Sequence, residues 1–432
     1  MKIFGLILAF IIAIILVVKK LPIGLSLLSG SLVIALTSAM GWQQMVNVFW
    51  RGLTNSDTVE LAAVIALISI MSYLMNKTGM IDGLLNAIQV IFKDPRASLI
   101  IIPSLLGGLP IPGGAMLSAP LVRTVGSKIG FSKEREMAVN LIYRHIWYFI
   151  FPFEPTLILA AKLAGIDLLA FILWQLPLTI VIGLISYYYY FRQFGLPVVG
   201  NGKNGEGGEE RKDGSDNLVD RDLERDGVTA RGLSMAEAKE ERSPLLQLLV
   251  NGMPLILAIG VAFLFQMNFL LGLVIGIGFI AVYKYRSIHL LMFIKGVDLP
   301  LFSTILGIMV FKEFINYGHA LQELADIFVG LGIHPYLLAV ILPGLVSFFT
   351  GSRPAAIGIT FPLLAQILPT IGITEAIIIF GSGFFTYLVS PIHICFALTQ
   401  SFFAVDYKSV YRELAVPVAC GVGTLLLLAI IT

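Results

Sequence analysis

The chain has 432 residues, 57% of them hydrophobic and only 13% charged, with a mean hydropathy of +0.90. That leaves too little polar surface to coat a water-soluble domain of this length, so a lipid bilayer is the main solvent and no soluble catalytic domain is left over. A formal net charge of +2, with no basic patch interleaved with aromatics, argues against a nucleic-acid partner.

In chain order, apolar runs long enough to cross a hydrocarbon core, which takes about 20 helical residues, begin at residues 3–18 and 21–40. Lys2 and Lys19-Lys20 flank the first, and no small-residue cleavage site follows it, so it reads as a retained span. A third span covers 57–76. The apolar stretch 99–122 is broken by Gly107-Gly108-Leu109-Pro110-Ile111-Pro112-Gly113-Gly114, which suits a re-entrant hairpin that enters and leaves from one side. Spans at 134–164 and 168–192 follow, the former interrupted at Phe151-Pro152-Phe153-Glu154-Pro155.

Residues 195–243 turn abruptly to Gly, Lys, Glu, Asp and Arg, too polar to offset their ordering entropy, and form a hydrophilic linker. Within it Ser234-Met-Ala-Glu237 fits a capping box, and at its end Ser243-Pro244 fits an N-cap and first helical residue. Beyond it come spans at 247–266, 268–283 and 299–316, then a second hairpin at 336–368 with its tip at Thr350-Gly351-Ser352-Arg353-Pro354. A span at 374–404, interrupted at Val389-Ser390-Pro391-Ile392-His393, and one at 410–431 complete the chain. Cys395 and Cys420 lie in apolar runs without metal-ligand spacing and read as core residues.

The two halves, 1–194 and 244–432, carry punctuation residues in the same order at an offset of about 240. Arg51-Gly52 answers to Lys295-Gly296, and Pro112, Ser118 and Pro120 to Pro354, Thr360 and Pro362. Pro152 and Glu154 answer to Pro391 and His393, Asp167 to Asp406, and Pro177 to Pro417. The expected fold is an all-α polytopic membrane protein of two repeats, each with five transmembrane helices and one re-entrant hairpin. An odd number of crossings per half makes the repeats inverted. The distribution of Lys and Arg (Lys19, Lys20, Lys77, Lys93, Arg123, Lys128 and Arg192 on one side, Lys2 and Arg51 on the other) predicts an outside N-terminus, an inside linker and an outside C-terminus.

In secondary transporters, inverted repeats with broken helices place the solute site near the membrane midplane, where freed N–H and C=O groups bind ions. The candidate substrate-binding residues are therefore Gly108, Pro110, Pro112, Gly113, Gly114 and Ser118 at the first hairpin, with Thr350, Gly351, Ser352, Arg353 and Thr360 at the second. Arg offers a planar fork suited to a carboxylate, which points to an anion. Glu154 lies deep in an apolar segment, and with His393 and Ser390 it is a candidate for a coupling ion or proton. Arg144 and His145 are further buried polar groups. A direct Arg144–Glu154 pair is not expected, since ten residues of straight helix separate them by about three turns. Among these residues Gly and Pro also punctuate helices, and Ser and Thr also pack them.

Five spans and a hairpin repeated upside down, with a helix broken after each hairpin, resemble the ion transporter superfamily of divalent anion/sodium symporters, gluconate permeases and citrate or arsenite carriers. Gly108-Leu109-Pro110-Ile111-Pro112-Gly113-Gly114 is closest to the gluconate-permease side, and the whole chain to an integral-membrane branch of that superfamily. The resemblance implies an elevator mechanism, a scaffold that forms a homodimer, and hairpin tips that bind substrate with sodium or a proton. The Ser-Asn-Thr signature of the dicarboxylate symporters is replaced here by Pro110-Ile111-Pro112 and Ser352-Arg353-Pro354. The expectation is a secondary transporter of a small organic anion, coupled to sodium or protons, with no other cofactor and with membrane lipids as its surroundings. The alternatives are an intramembrane enzyme using His145 or His393 with Glu154 on a lipid-borne substrate, and a non-transporting membrane receptor or assembly partner.

Overall fold

The computed structural model describes residues 2–108, 114–192, 243–264, 269–318, 334–368 and 370–431. Residues 195–242 of the linker, and Pro110, Pro112 and Gly113 of the first hairpin tip, lie outside these. The described residues form an all-α membrane protein. Five of their helices are long and apolar enough to cross a membrane, and shorter apolar helices accompany them.

The chain begins with α1 (Lys2–Val18) and α2 (Ile23–Thr37), which pack on each other, then α3 (Trp42–Thr54), α4 (Ser56–Lys77) and α5 (Met80–Ile91). Next come the legs α6 (Pro95–Gly108) and α7 (Gly114–Lys128), then α8 (Lys133–His145), which tightens into a 3₁₀ turn over Ile146–Phe149 and stops. The chain resumes as α9 (Pro155–Ala164) and α10 (Leu168–Phe191). After the linker, α11 (Pro244–Ile259) ends in a π turn over Gly260–Leu264, followed by α12 (Phe269–Tyr283), the short α13 (Leu290–Lys295) and α14 (Leu299–Gly318). The legs α15 (Pro335–Thr350) and α16 (Arg353–Ile367), the broken pair α17 (Ile373–Leu388) and α18 (Ile394–Phe403), and α19 (Tyr407–Ile431) complete the fold. Against the spans read from sequence, α3, α5 and α13 are additional, and each broken span is two separate helices.

Helix starts follow local chemistry. Asn55, Ser132, Asp167 and Ser243 each cap the helix that follows by accepting a backbone N–H. Asp406, at the position matching Asp167, accepts the amide of Lys408 at the start of α19. Prolines stand inside α6, α7, α10, α11, α15, α16 and α19, as membrane helices tolerate where neighbouring groups re-satisfy the freed carbonyls.

Contacts between helices come in matched pairs. α2 packs on α14 as α4 does on α12, α3 on α14 as α13 on α4, α6 on α8 as α15 on α17, and α9 on α16 as α18 on α7. In lipid the hydrophobic effect does not drive helices together, so close backbone approach matters more. Gly24 of α2 meets Gly307 of α14 so closely that a Cβ on Gly307 would lie 2.5 Å from the Gly24 Cα. The outer faces stay apolar, as at Ile7, Ile11 and Ile15 of α1 and Leu426, Leu427 and Ile430 of α19, and suit lipid contact. Between the broken helices, Phe149 packs its ring against Phe380, Phe384 and Phe385 of α17 at centroid distances of 5.9, 4.3 and 6.1 Å. This aromatic wedge fixes the end of α8 against α17, and with it the two chain breaks.

Candidate functional site

Each hairpin is fastened to the broken helix of its own half. In the first half the Ser104 hydroxyl donates to the Tyr143 carbonyl at 3.1 Å, and Gly107 lies so close to the Arg144 backbone that a Cβ there would come within 1.9 Å of the Arg144 oxygen. In the second, the Ser390 hydroxyl donates to the Phe348 carbonyl at 2.6 Å. Gly351 adopts a left-handed conformation, φ 60°, beside the Ile392 carbonyl. Glycine is needed there twice over, for the backbone angle and for the space.

The first chain break and the second hairpin tip bring two helix N-termini together. Glu154 caps α9, its Oε2 accepting the Leu157 amide at 2.6 Å, with Pro155 in the first turn. Ser352 caps α16 by accepting the Ala355 amide at 3.3 Å, with Pro354 in the first turn. Arg353, the first residue of α16, donates from Nη2 to Glu154 Oε1 at 2.8 Å, and both side chains are more than nine-tenths buried. The hairpin tip of one half is thus tied to the helix break of the other by a charge-assisted hydrogen bond. The guanidinium also lies over the Tyr148 ring, 3.8 Å from its centroid, and 5.2 Å from that of Tyr387. Tyr148 and Tyr387 stand at matching positions of the two halves, each four residues before the proline of its break.

These groups surround a cavity of about 260 Å³ lined by Gly107, Gly108, Tyr148, Phe153, Glu154, Pro155, Thr156, Leu301, Gly351, Ser352, Arg353, Pro354 and Tyr387. Its volume falls just below the roughly 300–1,000 Å³ of pockets for drug-sized ligands and suits a small solute. Every wall but Leu301 comes from a hairpin end, a chain break or the turn before it. The available chemistry is binding: a buried fork of donors and two helix N-termini favour an anion, and the aromatic faces hold the Arg353 cation that would receive it.

Of the residues singled out from sequence, Gly108, Gly351, Ser352, Arg353 and Glu154 line this cavity. Thr350 is not among the lining residues, and its hydroxyl donates to the Val346 carbonyl at 2.6 Å. Thr360 turns back to the Ala356 carbonyl of its own helix at 2.7 Å, and neither Thr360 nor the buried Ser118 is among the lining residues. Ser390 serves the hairpin fastening, and Gly114 opens α7. Arg353 and Glu154, assigned from sequence to the substrate and to the coupling ion, are paired directly with each other. Tyr148 and Tyr387 were missed, although their matching places before the two prolines were a usable signal.

Behind Tyr148 and Tyr387 lies a second polar layer. His145 and His393 are fully buried with ring centroids 4.9 Å apart, and His393 lies 3.7 Å from Tyr387. His145 Nδ1 bonds the Leu141 carbonyl at 2.6 Å, leaving Nε2 without a partner. The ligating atoms of His145, His393 and Cys395 lie within 4.8 Å of one another and could hold a soft metal ion by donor type. Arg144, buried with no partner on Nε or Nη1, borders this layer, and its charge opposes a cation there.

The family model described as "Protein of unknown function (DUF401)" matches residues 3–204 and 229–432. No curated protein matches the chain. Among solved structures, the YdaH transporter of Alcanivorax borkumensis, whose crystal structure is described as revealing an unusual topology, is similar with a TM-score of 0.54 and 14% identity. The match covers 90% of this chain and 89% of that one. At that identity the likeness is one of fold: this chain has the fold of a membrane transporter.

Proposed function

The chain belongs to the DUF401 family, and we propose that it is a secondary transporter that carries a small organic anion across the cytoplasmic membrane, coupled to sodium or protons. The observation that carries this reading is the buried Arg353–Glu154 pair at the wall of a small cavity, formed where the hairpin of one half meets the helix break of the other. A charged pair held at membrane depth is costly and marks an ion or solute path. The shared fold with a transporter supports the same class.

The matched helix contacts of the two halves support a reading as inverted repeats of the kind found in the ion transporter superfamily. In the elevator mechanism that follows, α6–α10 and α15–α19 move as one body, carrying the cavity past a scaffold of α1–α5 and α11–α14. The scaffold forms a homodimer, and the N-terminus and C-terminus lie outside with the linker inside.

The test is uptake into proteoliposomes across a panel of organic anions, under imposed sodium and pH gradients. Wild-type protein is expected to accumulate at least one anion under one gradient, and Arg353→Ala, folded and inserted, to lose that uptake. Uptake unchanged by Arg353→Ala would sink the site assignment.

A further inference from the structure

We propose that Glu154 is an internal stand-in for the transported solute: its carboxylate occupies Arg353 when the cavity is empty, and a small carboxylate anion displaces it, entering together with one cation that neutralises Glu154. This rests on the anion-carrier reading and specifies the solute's acid group and the coupling residue.

The hold of Glu154 on Arg353 is partial. Its Oε1 accepts from Nη2 alone, while the buried Nε and Nη1 have no partner. A guanidinium carries five N–H donors and binds a carboxylate best through two parallel bonds. Glu154 does not supply the second oxygen, because its Oε2 is committed to the Leu157 amide as the cap of α9. The unengaged donors of Arg353 therefore suit an incoming carboxylate with both oxygens free. Both members of the pair line the same cavity, so partners can exchange without breaking the fold.

The surrounding charges favour the entry of the anion. Around the pair stand Tyr148 from the turn after α8, Tyr387 from α17, Arg144 and His145 from the end of α8, and His393 and Cys395 from the second break. Among the described residues no carboxylate lies within ion-pair distance of Arg144, so it keeps the local field positive and draws an anion in. Once displaced, Glu154 would be an unpaired carboxylate at membrane depth, which is strongly disfavoured. A proton or a sodium ion on Glu154 removes that penalty, so anion and cation bind together or not at all. One negative and one positive charge enter, and the charge of the site is unchanged. At matching positions of the two halves the other diagonal holds Ile111 and His393, so the device occurs once per chain.

The experiment is anion binding to the purified full-length protein, read as thermal stabilisation by lactate, glycerate and succinate at acidic and neutral pH, in sodium or choline chloride. Wild-type affinity for at least one anion is expected to strengthen either in sodium or as pH falls, approaching tenfold per pH unit (about one proton bound with each anion). Glu154→Gln, which retains a capping oxygen, is expected to bind the same anion about tenfold or more tightly, because the competitor is gone, and equally under all four conditions. In proteoliposomes it should exchange that anion across the membrane without accumulating it against a gradient.

Loss of anion binding in folded Glu154→Gln overturns the proposal. So does a wild-type affinity that is identical in all four conditions, a measurement that needs no variant. The carrier reading fails separately, when no anion in the wider uptake panel is transported or bound at all.

Discussion

The guanidinium of Arg353 rests on the face of Tyr148, 3.8 Å from the ring centroid, although the two residues belong to opposite halves of the chain. A cation over an aromatic face in a desolvated setting is stabilised by about 2 kcal/mol, which corresponds to a factor of roughly 30 in an equilibrium constant. Tyr148→Leu is therefore expected to weaken anion affinity by up to about that factor, while Tyr148→Phe, which keeps the ring, stays within about twofold of wild type. Anion titrations followed by thermal shift compare the two. Equal losses in both would assign the effect to the hydroxyl and not to the ring face.

Gly351→Ala forces a side chain into a left-handed backbone and places a Cβ 2.8 Å from the Ile392 carbonyl oxygen. The backbone term alone costs about 1–2 kcal/mol, and the contact adds to it. The variant should melt measurably lower in detergent and transport more slowly, since the second tip can no longer seat against its break. A melting temperature equal to wild type would show that the turn adjusts freely.

Ser390→Ala removes the hydroxyl that fastens the second break to the Phe348 carbonyl. Loss of one buried hydrogen bond is expected to lower stability by about 1 kcal/mol, without changing which anions bind. Thr360→Val, by contrast, removes only a bond to the residue's own helix and should leave anion affinity unaltered. Paired melting curves and anion titrations separate the two residues.

The family model leaves residues 205–228 unmatched, inside the polar linker. Deleting them is expected to preserve both uptake and melting temperature, as a carrier would tolerate. Loss of function in a folded deletion variant would favour a partner-binding role for the linker.

Single cysteines introduced into a background without Cys395 and Cys420 test the proposed orientation. Trp42→Cys, at the exposed start of α3, should react with a membrane-impermeant thiol reagent from outside intact cells. A cysteine at Gly208 in the linker should react only after the membrane is opened. The reverse pattern would invert the topology.

The helix breaks were legible in the sequence because Pro and Gly act on their own backbone: Pro155 and Pro354 stand in the first turns of α9 and α16, and Gly351 supplies the positive φ. The pairing of Arg353 with Glu154 was not legible, because 199 residues separate them and only the packing of α9 on α16 brings them together. Ser and Thr were over-read for the opposite reason. Every helical hydroxyl has a carbonyl one turn back as a ready acceptor, and Thr360 takes it. Trp42–Thr54 and Met80–Ile91 were passed over because neither has the sustained apolar length of a membrane span, yet one face of each is buried against the longer helices.

The distance in sequence between Glu154 and Arg353 also sets a schedule for the protein's birth. Glu154 leaves the ribosome 199 residues ahead of its partner, an interval of roughly 10–40 s at ordinary rates of synthesis. Through that interval the first half holds Glu154 without the cation that it pairs with in the finished fold. The tie between the two halves can form only once the second hairpin has been made, so the last-made tip completes the first-made break.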